Sequence, residues 1–373
     1  MICKVSQNFS RTISFLRFPL MFLLAFDHFN INSYEHLKGL GNSYDICLTS
    51  VSQTTIEFVT LMGMCVVPAC FLISGALMFN GWNESYEVYK RKLKSRVRSL
   101  LVPYLIWNSL FFVFLAFYYN GKDGVTYNES IISFIAQYWD VSQFPWFVIE
   151  GQDMYPDGPL YSHFWYIRYL MGLAIASPFL WIIVKKWTKL ALITTGLLWL
   201  FHPLALHYSY QISYVGFGAL FFFLTGAYVT KSGGGKFEML SRVPFLSGSF
   251  VAFILTFVFY KGFMKTPYSV YLVRLAILAG ILYIFSLASY LVRKGCRISN
   301  HLSGASFMVY AMHLAFIPVW RIIWVEILHP SNNQTQVTLW VLAVISNVIM
   351  CTLFDIITKK YTPRINSLLT GGR

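Results

Sequence analysis

Ten stretches of this chain each approach the length an α-helix needs to cross a lipid bilayer, about 20 apolar residues. They fall at roughly 12–30, 56–79, 99–119, 163–184, 189–207, 212–230, 245–261, 270–291, 304–326 and 335–357. In hydrocarbon no water satisfies a backbone N–H or C=O, so single apolar runs of this length are confined to helices. The expected fold is all-α: a polytopic membrane protein of about ten transmembrane helices. The chain is only 12% charged over its 373 residues, half the proportion of a soluble domain, which is about a quarter. No stretch reads as a separate soluble domain, and residues 1–373 are expected to form one integral-membrane unit.

The formal net charge of +14 would suit a nucleic-acid binder if the basic residues formed a patch. They cluster instead at alternate ends of the apolar runs, where Lys and Arg orient spans, and nucleic acid is excluded as a partner. With the N-terminus inside, the inner segments carry 21 Lys and Arg against 4 on the outer side. Both termini are therefore expected in the cytoplasm. Lys4 and Arg11 precede an apolar run, as in a signal peptide, but no small-x-small site follows, and an uncleaved first span is expected. Six cysteines form no C-x-x-C pair, so neither a disulfide framework nor a metal site is expected. Two outer loops are long: 31–55, with room for a short helix, and 120–162, whose IISFIAQYWDVSQFPWFVIEG is too broken to span and reads as an interfacial or re-entrant wall or lid. KSGGGKF reads as a flexible inner linker, and the tail after Ile357 as short and mobile.

Within the spans a few polar residues stand out. The first, RTISFLRFPLMFLLAFDHFN, carries Arg17 and His28, eleven residues apart. Eleven steps of about 100° return a helix to within roughly 20°, so both share one face, about 16 Å apart along the axis. A charge inside a span is costly and marks a functional site unless it snorkels to the headgroups. Imidazole titrates near neutral pH, which suits His28 to general-base work. Asp27 is one residue away and points elsewhere. In YKRKLKSRVRSLLVPYLIWNSL, the inner basic cluster before Pro103, Arg96 and Arg98 lie nearest the membrane and suit a phosphorylated ligand. YSHFWYIRYLMGLAIASPFL opens the fourth span with His163, Trp165 and Arg168, and SGASFMVYAMHLAFIPVWRIIWVEI holds His313 and Arg321. Glu57 and Arg274 lie at the outer starts of their spans, and with Arg168 and Arg321 they suggest a polar cavity open to the outside. Asp355 reads as interfacial, and Ser74–Gly75 as a place where helices pack closely. From the residues alone, a transferase, a transporter or exporter of glycan or small polar solutes, and a structural membrane partner all remain open.

Four pieces taken in order resemble the membrane acyltransferase family 3. They are the first span with its arginine, ten residues and histidine; VVPACFLISGALMF; SRVRSLLVPYLIWNSL, a basic loop leading into a proline-headed span; and the pair HFWYIRYLMGLAIASPFL and SFMVYAMHLAF. The resemblance implies a bacterial inner-membrane enzyme of ten spans that moves an acyl group, most often acetyl, from cytoplasmic acetyl-CoA to a hydroxyl of a cell-surface glycan or glycolipid. It holds no bound cofactor; acyl-CoA is its donor substrate. It implies that His28 and Arg17 are the essential histidine and arginine and that Arg96 is the basic-loop arginine. Where the family often has a second arginine three residues on, this chain has Ser99, and Arg98 leaves the helix about 100° from that slot. The expected donor-binding residues are Lys94, Arg96 and Arg98. The expected acceptor cavity holds Glu57, His163, Trp165, Arg168, Arg274, His313 and Arg321.

Overall fold

The computed structural model describes residues 6–29, 48–127, 130–145, 147–149, 158–201, 216–233 and 239–372. Most of the 31–55 loop, the last four residues of KSGGGKF and parts of the spans expected at 189–207 and 212–230 lie outside these residues. The chain is overwhelmingly helical, with seven helical segments long and apolar enough to cross a membrane among the described residues. A strongly bent pair and one shorter apolar helix add to these.

Several helices begin where a capping side chain precedes the run. α1 (Gln7–His28) starts at Ser6, whose hydroxyl accepts the Phe9 N–H at 3.2 Å. The second run divides into α2 (Ser50–Met64) and α3 (Val66–Phe79), joined at Cys65. Pro68 has no N–H for the carbonyl of Met64, which accounts for the break. α4 (Tyr86–Arg96), a π-helical turn (Val97–Leu101) and α5 (Val102–Tyr119) run on without a gap. Among its described residues the 120–162 connection holds a short helix, α6 (Ile131–Ala136), and a two-stranded antiparallel ladder of β1 (Val125–Tyr127) and β2 (Phe147–Ile149), with Val125 opposite Ile149.

α7 (Trp165–Ile175) and α8 (Ser177–Phe201) are bent 69° apart. The sequence suggests a single span over 163–184, but Pro178 withholds the donor that Ala174 needs. The hydroxyl of Ser177 supplies it, donating to the Ala174 carbonyl at 2.8 Å. Within α8 only Trp187 leaves helical geometry, so the connection between the spans expected at 163–184 and 189–207 is a kink. Outside the spans, Glu84 accepts from Lys185 at 2.9 Å and from Trp181 at 3.2 Å, and these partners hold its carboxyl below the usual range. They tie the α3–α4 turn to α8.

There follow α9 (Phe217–Lys231), α10 (Val243–Gly262), α11 (Ser269–Arg293) and α12 (Asn300–Met312), then a 3-10 turn over His313–Phe316. α13 (Ile317–Ile322), a π-helical turn, α14 (Asn333–Tyr361) and α15 (Pro363–Thr370) complete the chain. α1 lies in the middle, against α2, α3, α11, α12 and α14.

The C-terminus departs from expectation. α14 continues to Tyr361, and α15 is docked with Leu369 buried. The Trp107 indole donates to the Leu369 carbonyl at 3.0 Å. Asn366 donates to Asp355 at 3.0 Å, and Lys359 donates to the same carboxylate at 2.7 Å. Asp355 is therefore buried and holds the last helix, rather than lying at the interface.

Two glycines bring the backbones of α3 and α9 close together. A methyl group added at Gly75 would stand 2.0 Å from the Phe223 carbonyl oxygen, and one at Gly226 would stand 2.0 Å from that of Leu72. Neither backbone can yield, so a side chain at either site must force the helices apart. Gly226→Leu is expected to cost about 3 kcal/mol and to remove the monodisperse gel-filtration peak in detergent. Gly248→Leu, where a side chain meets open space, should leave that peak unchanged.

Candidate active site

A cavity of about 560 Å³ opens beside the central helix. Ser14, Arg17, Met21 and Leu24 of α1 line one wall, at spacings of three and four residues that keep them on one face. His28 is the next residue of that stripe, one turn beyond Leu24. Arg96 enters from the end of α4, so two arginines meet one space at its basic end. Asn300, Ser303, Ser306 and Tyr310 of α12 form the facing wall, and Ser74 and Tyr166 add hydroxyls, 3.1 Å apart.

Tyr310 lies at the far end of this wall, and three imidazoles gather behind it. The His28 and His313 ring centroids are 5.0 Å apart, and His313 and His163 are 5.3 Å apart. The Tyr310 ring is 5.5 Å from His163, and its hydroxyl donates to the His163 carbonyl at 2.8 Å. His313 and His163 are buried, whereas His28 is exposed. The Nδ1 of His313 faces the carbonyls of Tyr310 at 2.8 Å and Val309 at 3.1 Å. Asn347 donates to the His313 carbonyl at 2.9 Å, fixing the turn that follows α12. The Nε2 of His313 is buried without a hydrogen-bond partner. A buried group of this kind costs about 1–3 kcal/mol, and a role in chemistry is one reason for a structure to carry it.

Several residues expected together are held apart. Lys94 is exposed and outside the cavity lining. Arg98 turns the other way, donating to the Ser367 hydroxyl at 3.5 Å and packing on Gly372. Position 99 is covered too, since Gly371, in a left-handed conformation, lies against the Ser99 backbone.

The outer charges do not gather into one cavity. Glu57 pairs with Lys261 and accepts from Gln53 at 3.0 Å. Arg168 is buried, 3.6 Å from Asp140, and donates to the Trp139 carbonyl, pinning the 120–162 segment to α7. Arg274 donates to the carbonyls of Trp199 and Leu200 and so closes the C-terminal end of α8. Arg321 lies on α13, but its side chain is outside the described residues. Trp165 faces a second, smaller cavity of about 140 Å³ with Asp27, Phe71, Trp199 and Phe222. Asp27 thus points away from its neighbour's stripe, as their one-residue separation requires.

The sequence reading passed over Tyr310, Ser303 and Ser306. Their signal was present: 303, 306, 310 and 313 recur at three and four residues, a polar stripe on an apolar helix. No group of three or more His, Cys, Asp or Glu able to hold a metal ion occurs among the described residues.

The model of an acyltransferase domain family matches residues 11–356. The succinoglycan biosynthesis protein ExoH of Rhizobium meliloti (strain 1021) is 26% identical over 322 residues, covering 82% of this chain and 79% of that protein. No solved structure matches. With the family's span reaching from the start of the Arg17–His28 helix almost to the end of α14, the chain belongs to the acyltransferase family 3 and is a multi-pass membrane acyltransferase.

Proposed function

We propose that this protein moves an acyl group, acetyl in the simplest case, from a cytoplasmic acyl-CoA to a hydroxyl of a cell-surface polysaccharide or glycolipid, with His28 as general base. In this reading the chain crosses the bacterial inner membrane ten times with both termini in the cytoplasm. The observation that carries it is the single cavity with Arg17 and Arg96 at its basic end and Tyr310 at the other, backed by His28 and its two neighbours. The similarity to a succinoglycan biosynthesis protein supports a polysaccharide acceptor.

CoA phosphates suit the paired guanidiniums, which bind such groups through two parallel hydrogen bonds. The thin pantetheine arm and its thioester suit the stretch of the cavity lined by Met21 and Leu24. The acceptor hydroxyl approaches His28 from the opposite side. As its oxygen bonds to the thioester carbon, His28 takes the proton, the C–S bond breaks, and the proton passes on to the CoA thiolate. Arg17 lies about 16 Å below His28 by helical rise. It therefore serves the donor's phosphates and is too far to stabilise the oxyanion.

His28→Ala is expected to leave the protein folded and inserted while lowering transfer at least about 100-fold. The measure is alkali-labile ester on surface polysaccharide, quantified by NMR in cells carrying either form. Ester content equal to wild type would remove His28 from the reaction. Arg17→Lys keeps the charge but loses the planar fork. It should raise KM for acetyl-CoA about 10-fold or more in membrane vesicles, and an unchanged KM would separate Arg17 from the donor.

A further inference from the structure

The His28 ring has no carboxylate partner on its own helix face, because Asp27 lines a different cavity. A general base of this kind needs its second nitrogen held, since the wrong tautomer offers an N–H where a lone pair is required. We infer that His313 is the positioning residue that fixes His28 as a base. This rests on the reading of His28 above.

His313 Nδ1 stands within hydrogen-bond distance of two backbone carbonyls, and carbonyls only accept. Nδ1 therefore carries the proton of the neutral ring. Its Nε2 is left with a lone pair, buried and without a partner, and a lone pair can only accept. Two imidazoles flank it, His28 at 5.0 Å and His163 at 5.3 Å between ring centroids. Two imidazoles joined by an N–H···N bond of about 2.9 Å have centroids roughly 5 Å apart, so the spacing suits such a bond without movement of either helix. His163 is buried, whereas His28 is exposed, so of the two only His28 is open to a substrate hydroxyl.

When the N–H of His28 donates to His313 Nε2, the remaining His28 nitrogen presents its lone pair away from His313, toward the acceptor. It takes the hydroxyl proton as the ester bond forms and returns it to the departing thiolate. The imidazolium in between keeps its other N–H on His313, which stays neutral throughout. A neutral imidazole acceptor suits the site better than a carboxylate, which would bring a second charge into a dry, aromatic region. His313 can hold this position because the 3-10 turn at His313–Phe316 ends α12 there, and Asn347 anchors the turn.

Two substitutions separate orientation from packing. Asn places an amide N–H about where Nδ1 sits, so His313→Asn keeps the bonds to Tyr310 and Val309 but cannot reach His28. Gln places its amide oxygen about where Nε2 sits, so His313→Gln restores an acceptor toward His28. Each variant is assayed in membrane vesicles that contain the cell's own polysaccharide, with acetyl-CoA as donor and ester formed on the polysaccharide as readout. Gel filtration in detergent confirms folding.

His313→Asn should lower kcat about 100-fold with KM for acetyl-CoA within about threefold of wild type, and His313→Gln should stay within about 10-fold of wild-type kcat. Wild-type kcat in His313→Asn overturns the inference, as does equal loss in both variants when both are folded. The proposed base is tested separately: if His28→Ala is inactive while His313→Asn is fully active, only the role of His313 falls. If His28→Ala is active, the reading on which this rests falls first.

Discussion

A guanidinium cannot be left in hydrocarbon, and this requirement shapes the interior of the molecule. The described intramembrane arginines meet it in two ways. Arg168 and Arg274 are enclosed by protein: one lies against Asp140 and the Trp139 carbonyl, the other donates to the last carbonyls of α8. Arg17 opens into a cavity instead and shares it with Arg96. The first solution builds structure; the second keeps positive charge available to something that enters. Because Arg17 is on the central helix, the space it needs runs along the stripe that leads to His28.

Helix interruptions supply the other half of the architecture. Pro68 divides the second span, Pro178 bends the α7–α8 pair, and α12 gives way to a 3-10 turn at His313. At two of these breaks a side chain takes over for the missing backbone donor or gains a carbonyl: Ser177 donates to Ala174, and His313 faces Val309 and Tyr310. Irregular backbone at membrane depth persists where protein or a cavity surrounds it, and here the last of these breaks delivers an imidazole to the centre of the site.

What the sequence made legible was whatever depends on local period and hydropathy. The apolar runs, the shared face of Arg17 and His28 and the divergence of Asp27 all follow from counting along one helix. The tight packing expected at Ser74–Gly75 also appears, at Gly75. Partners distant in the chain were not legible. The charges Glu57, Arg168 and Arg274 looked alike in depth, yet each is met by a residue on a different element, so the expected outer cavity dissolves into separate attachments. The meeting of His163 and His313 with His28 needs three elements and has no local signature. Nor does the π-helical turn over Val97–Leu101, within which Arg98 turns toward the last helix while Arg96, just before it, faces the cavity.

That last helix has a consequence for biogenesis. Trp107 belongs to the third apolar run, yet the carbonyl that receives its indole N–H comes 262 residues later. Asp355 likewise finds Asn366 only when nearly all of the chain has been made. During synthesis, α5 must therefore sit in the bilayer with one flank unfinished while every other span inserts. That flank closes only when α15 has been made and has folded back against it.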